Sequence, residues 1–428
     1  MEPGVLIESG GVWPGALPAP WWFIQFFKVL GFTLHAVMMH LWYAGLLWAM
    51  YLAVWGGVNG REAAGRLMRQ MPVLVALGIN LGIVPLLFLQ AAYAKVFYPA
   101  TIYMAWFWLG IVALLIPAYY GVYIYSFGLR RLSGGDVSPS PKLQLANTAD
   151  ASPELASGSP SVGQEESASL GGQQGLLPPM PTWRLAAGWA SALLFVLIGF
   201  LFVNGLTLMT RQELFQQEKW QAVWEPHTVA GAALGTGLNL ADSRLLPRWL
   251  MFFSLAWTTL VVWLVVDTAW RASQPSDPYR NWVTGTSWKL YLAGAVGFAI
   301  FGSWYLHTWS AEVRAAMFSW PMVVLTVLTA ISPGPVWLGL GWSAWQGRPP
   351  GRTLAVGLAL GQLAVLALNA TSRQVVQNLE LGRFYAVSQQ PQSIQWSPMV
   401  VFLLLFVLGA AVLGWMLLHL WHYRRIDA

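Results

Sequence analysis

The run WWFIQFFKVLGFTLHAVMMHLWYAGLLWAMYLAVWG, residues 21–56, decides the fold. It is apolar almost throughout, interrupted by one lysine, Lys28, and two histidines, His35 and His40. A helix needs about 20 apolar residues to cross a bilayer, so this run spans with length to spare and tilts or extends beyond the membrane. Further runs follow at 72–97, 99–128, 184–209, 247–270, 287–309, 316–345, 353–372 and 398–422. The run 316–345 contains Pro321, Pro333 and Pro335 and is expected to kink or break near Ser332-Pro333-Gly334-Pro335, because proline removes a helix N–H and clashes with the preceding turn. The expected fold class is an all-α polytopic membrane bundle of about nine transmembrane helices.

Composition agrees. Only 9% of the 428 residues are charged and 57% are hydrophobic, whereas a soluble domain carries roughly 25% charged residues. The 27 tryptophans suit a membrane–water boundary, where an amphipathic ring satisfies both phases. The chain has no cysteine. That excludes disulfides, thiolate metal sites, iron–sulfur clusters and covalently attached c-type haem. The net charge of +6 does not point to nucleic acid, since positive charge in such a chain is mostly topological. The first twenty residues carry Glu2 and Glu8 but no Lys or Arg, so no cleavable signal peptide is expected.

With the N-terminus outside, the inner loops and tail hold Arg61, Arg66, Arg69, Arg130, Arg131, Lys142, Arg184, Arg271, Arg280, Lys289, Arg348, Arg352, Arg424 and Arg425. The outer loops hold fewer: Lys95, Arg211, Lys219, Arg244, Arg248, Arg314, Arg373 and Arg383. The positive-inside rule then sets the N-terminus outside and the C-terminus in the cytoplasm. Residues 133–182 are rich in Ser, Gly, Pro, Ala and Gln and are expected to be a disordered cytoplasmic linker, having too little apolar surface to offset ordering. The expected organisation is an outer tail 1–20, a three-helix segment 21–132, the linker 133–182, and a six-helix segment 183–428 with an outer loop 210–246.

Familiar catalytic motifs are absent: no Walker A loop, no dinucleotide fingerprint, no His-Glu-x-x-His. Asp267 is the one acidic residue inside a run. Buried ionisable groups are costly in lipid and mark proton pathways, so a proton-driven carrier is not expected. Basic and imidazole groups instead gather towards one set of helix ends: Lys28, His35, His40, Arg248, His307, Arg314 and Arg373, with Met317 beside them. The spacing of His35 and His40 places them about 140° apart on a helix, so one can ligate iron while the other faces a neighbouring helix or a propionate. Imidazole is a common haem b ligand and a methionine thioether a frequent partner; Arg pairs well with propionate carboxylates. The same residues also suit interhelical hydrogen bonds and snorkelling to headgroups. His419 and His422, beside Arg424 and Arg425, read as boundary anchors, and His227 lies in the outer loop.

Several short elements recur in order along the chain: His35 ahead of Ala44-Gly45, Gly78-Ile79-Asn80 followed by Phe88, Gln90 and Tyr93, Phe202-Val203-Asn204 with Met209, Arg314-Ala315-Ala316-Met317, and Ser372-Arg373-Gln374-Val375-Val376. In this order and sidedness the chain resembles the large subunit (subunit I) of cytochrome bd-type quinol oxidases, a nine-span family with haems near the outer surface. The resemblance runs the length of the chain outside 133–182. It implies a haem b scaffold around His35, with Met251 or Met317 as a second-site ligand and Arg248, Arg314 and Arg373 as propionate partners. The departures are specific. The family's span-five histidine falls near Arg248 to Phe252, where Met251 stands instead. The two glutamates of its third span have no counterpart between Tyr103 and Tyr125, and its long quinol loop shrinks to the stretch from His307 to Ala316.

The expected function is a b-type cytochrome-like subunit passing electrons between the quinone pool and a periplasmic partner such as a c-type cytochrome, within a larger membrane redox complex and without oxygen reductase activity. The alternative is a cofactor-free anchor subunit of a respiratory complex. A transporter is less favoured.

Overall fold

In lipid every backbone N–H and C=O must be satisfied within the chain, and the apolar runs accordingly form helices. The computed structural model describes residues 16–133, 180–214, 217–271 and 278–426. Residues 134–179 of the expected linker 133–182 and most of the tail 1–20 lie outside the described residues. Helix α1 (Trp21–Trp55) turns at Gly56 into α2 (Gly57–Tyr103), and Gly57 takes the positive φ that glycine adopts without strain. Then come α3 (Ala105–Ser133), α4 (Thr182–Leu208), the short α5 (Gln217–Trp224), α6 (Leu245–Arg271) and α7 (Pro278–His307). The chain continues through α8 (Ala311–Met317), α9 (Met322–Ile331), α10 (Pro333–Trp345), α11 (Arg352–Leu381) and α12 (Trp396–Ile426). Eight described spans are long and apolar enough to cross a membrane, with α9 and α10 together forming one of them, and the described apolar part of α12, Trp396–Val412, is shorter. The molecule is an all-α polytopic membrane bundle.

The expected proline break falls at Ser332, between α9 and α10. Other boundaries differ from the apolar runs, each for a physical reason. Helix α2 begins at Gly57 rather than 72 because Glu62, Ala63, Ala64, Arg66, Leu67 and Met68 are good helix formers. It also carries Pro99 internally, bending at Tyr93, whose φ of −130° is non-helical. Helix α7 begins at Pro278 rather than 287: proline suits a first helical position, and Tyr279, Val283, Ser287 and Tyr291 bury one face at four-residue spacing. Helix α11 runs past 372 to Leu381 because its polar last turns find partners inside the bundle.

Helix α1 packs against α2, α4, α6 and α11 and so occupies the centre. Two-thirds (67%) of the apolar window of α6 and half of that of α1 are buried, against 22% for α3 and for α7. The α1–α6 seam is thus the interior, and most of α3 and α7 faces outward. At the end where α1 begins (the Trp21 end), Phe23 and Phe27 pack with Phe88 and with Phe402 of α12. The segment between α4 and α6 closes over Tyr103, whose ring meets Trp224 and His227 and whose carbonyl accepts from Gly237 N–H at 2.8 Å. Its small hairpin, Thr228–Val229 paired with Ala232–Ala233, turns through Ala230 and Gly231, both at positive φ, as a tight two-residue hairpin requires.

Candidate functional site

Helical spacing sets the site. Lys28, Phe32 and Ala36 on α1, Arg248, Met251, Phe252 and Leu255 on α6, and Asn369, Arg373, Val376, Gln377 and Glu380 on α11 recur at three- and four-residue intervals. Such intervals place residues on one face of each helix. The three helices meet along those faces, and Ala36, Met251, Leu255, Tyr305, Met317 and Val376 form one apolar cluster there.

A layer of cations lies towards the Trp21 end. Lys28 is buried; its Nζ donates to Gln377 Oε1 at 2.8 Å and sits 4.4 Å from the centroid of the Tyr93 ring. The Arg373 guanidinium lies between two phenyl rings, 4.3 Å from the centroids of both Phe32 and Phe252, and its buried Nε has no hydrogen-bond partner. Arg248 is 6% exposed. Both Arg248 and Arg373 interact electrostatically with Lys28. Among the described residues none of these three cations pairs with a carboxylate. The acids of this layer, Asp242 and Glu380, are both held by Arg244, at 2.7 and 3.4 Å. Asp242 lies outside the spans; burial opposes its charge, but the Arg244 hydrogen bonds outweigh this and hold its carboxyl below the ordinary aspartate range. Four cations therefore share two carboxylates. Buried charge without a counter-charge is among the costliest arrangements in a membrane protein.

The histidines diverge as their spacing dictates. His35 faces α2, its Nδ1 donating to the Gly78 carbonyl at 2.8 Å. That bond fixes the neutral tautomer and leaves Nε2 as a bare lone pair, the state in which imidazole ligates a metal. The absence of a side chain at Gly82 makes room, since a Cβ there would stand 2.8 Å from His35 Cε1. His40 is fully buried and faces α6, with Nδ1 2.9 Å from Thr259 Oγ1 and Nε2 without a partner. Thr259 and Thr258 accept from Gln362 Nε2 at 3.1 and 2.9 Å, and Tyr291 O–H donates to Gln362 Oε1 at 2.9 Å.

The other sequence candidates divide. Met251 and Met317 are buried in the apolar cluster beside Ala36. His307 lies outside it: the ring is exposed and bonds only to the Ser303 carbonyl of its own helix, at 2.7 Å. Arg314, on α8, is half-buried and forms no side-chain hydrogen bond or ion pair among the described residues. The side chains of His419 and His422 lie outside the described set. Asp267 belongs to the opposite end, tied to Arg66 at 2.8 Å and Gln70 at 3.1 Å, and so locks α2 to α6.

Two neutral networks extend beyond the ionisable candidates. One is the His40–Thr259–Gln362–Tyr291 chain. The other centres on Tyr93 at the α2 bend: its hydroxyl accepts from Gln25 at 2.9 Å and Gln374 at 2.7 Å and donates to Asn378. The available signal was Gln362 and Asn369 inside the apolar run 353–372, seven residues apart and so on one helical face. Among the described residues no three His, Asp or Glu side chains gather to hold a bare metal ion. No protein-family model matches the chain, and no curated protein sequence matches it.

Proposed function

We propose that the chain is a b-type cytochrome-like subunit of a bacterial inner-membrane redox complex, holding haem b beside α1 with its propionates towards the cations where α1, α6 and α11 meet. In this reading it passes electrons between the quinone pool and a periplasmic partner such as a c-type cytochrome. The observation that carries the proposal is the cation trio of buried Lys28 and Arg248 and half-buried Arg373, which no described carboxylate balances. Two propionates supply the matching charge, and arginine is the side chain best suited to hold them. The imidazoles fit as well: His35 keeps Nε2 free through its bond to Gly78, and His40 Nε2 is buried without a partner.

When bound, haem b supplies a one-electron couple, and the protein's part is placement and electrostatics. His35 would offer Nε2 as ligand, its ring oriented by the Nδ1 bond to the Gly78 carbonyl, and Met251 or Met317 would be the second-site thioether. Lys28, Arg248 and Arg373 anchor carboxylates and place positive charge on the outer side, given an N-out orientation. No acidic residue stands between Tyr103 and Tyr125 to deliver protons, so oxygen reduction is not part of the proposal.

A cofactor-free anchor subunit is the second reading. It is favoured by His40, which is closed off from solvent and already bonded to Thr259. The two separate in a reduced-minus-oxidised spectrum of His35→Ala and His40→Ala proteins. Loss of a b-type signal in the first variant with retention in the second supports His35 as ligand, and the reverse result moves the ligand to His40. Unchanged spectra in both exclude α1 as the source of the ligand.

A further inference from the structure

At the Trp55 end of the bundle, α1 and α7 leave a groove of about 540 Å³ with Trp48 and Trp282 among its walls. Two polar groups line it. Lys289 is exposed, forms no ion pair among the described residues, and has as its one described neighbour the ring of Trp288 on its own helix, 5.8 Å away. Thr286 forms no hydrogen bond among the described residues, whereas Thr284 on the same helix donates to the Arg280 carbonyl at 2.8 Å. Gly285 keeps the floor open, with no atom within 4 Å of where its Cβ would stand. Beyond Lys289 the groove is apolar, lined by Leu290 and Ala293.

We propose that this groove seats one anionic phospholipid. Its phosphate lies against Lys289 Nζ and Thr286 Oγ1, and an acyl chain follows Leu290 and Ala293. Two features place the groove at headgroup depth. The early turns of α7 carry Arg280, Asn281, Thr284, Thr286 and Ser287 before giving way to an apolar stretch. Trp48 and Trp282 wall the groove, and indole rings concentrate at this boundary. Basic pockets between helices bind anionic headgroups. The charge of Lys289 selects an anionic headgroup over a zwitterionic one, and the unengaged hydroxyl of Thr286 supplies a second donor.

The test is native mass spectrometry of the full-length protein released from detergent with equal amounts of phosphatidylglycerol and phosphatidylcholine. Phosphatidylglycerol should be retained preferentially, and Lys289→Gln should lower its retention roughly fivefold, the worth of one basic side chain at an anionic surface. Lys289→Arg should restore it, which separates loss of charge from loss of fold. Arg348→Gln, an exposed cation of the loop before α11 and outside the groove, should leave it unchanged. Equal retention of the two lipids, or an equal effect of Arg348→Gln, overturns the proposal. Displacement of phosphatidylglycerol by millimolar inorganic phosphate also overturns it, since the site would then recognise a free phosphate.

Discussion

Replacing Arg373 by methionine should stabilise the haem-free protein and weaken the haem-bound one. The guanidinium is held by two ring faces and, among the described residues, by no carboxylate. A cation–π contact contributes about 0.5–2 kcal/mol, so the two rings together contribute about 1–4 kcal/mol. Against this stands a desolvation penalty of several kcal/mol for a buried ion. Repulsion from Lys28 and Arg248 adds to it. Methionine fills similar space between the rings without the charge, and the net change in haem-free protein should be a gain of about 1–3 kcal/mol. With haem bound the sign reverses, because a propionate loses its partner. The assay is denaturant unfolding in detergent of wild type and Arg373→Met, each prepared with and without haem supply. A loss of more than about 2 kcal/mol in the haem-free variant would show that the protein alone balances this cation, and the argument for an anionic ligand would fail.

Asp267→Ala should cost about 2 kcal/mol in the same unfolding assay, the worth of a hydrogen bond to a charged group, because half-buried Arg66 loses its 2.8 Å partner and keeps Glu62 at 3.4 Å and the Tyr279 ring; a loss below about 1 kcal/mol, the range of exposed pairs, would mean water already screens the bridge. Gln362→Leu removes the acceptor of Tyr291 and the donor to Thr258 and Thr259 and should cost about 2 kcal/mol at about 0.6 kcal/mol per intramembrane bond. Tyr291→Phe should cost about a third of that, and equal losses in the two variants would contradict a shared network. Reporter fusions after Arg131 and at the C-terminus should report cytoplasm, and one near Gln221 the outside. A periplasmic signal after Arg131 would invert the orientation and move the cation layer to the cytoplasmic side.

The spans were legible because lipid demands long apolar runs, and the break at Ser332 because prolines announce it. Helix ends were less so. Composition marks where a helix enters lipid, not where it stops, and α2 and α11 continue through polar residues satisfied by distant partners: Arg66 by Asp267, Gln377 by Lys28. Of the site, the charges at one depth and the divergence of His35 from His40 follow from spacing alone. Which neighbour each histidine meets does not: the Gly78 carbonyl and Thr259 come from helices far away in sequence. His307 shows the complementary limit, because depth in a helix does not say which side of it faces the interior. The neutral network around Gln362 escaped a reading centred on charge, although Gln362 and Asn369 stand on one face of an apolar run in the sequence.

Whether this bundle holds haem b is read by a pyridine haemochrome assay on wild-type protein made with adequate haem supply. The expected result is a b-type haemochrome in fixed proportion to protein, accompanied by a reduced-minus-oxidised b-type spectrum. Protein that is folded, membrane-inserted and free of haem under those conditions would contradict it and leave the anchor reading standing.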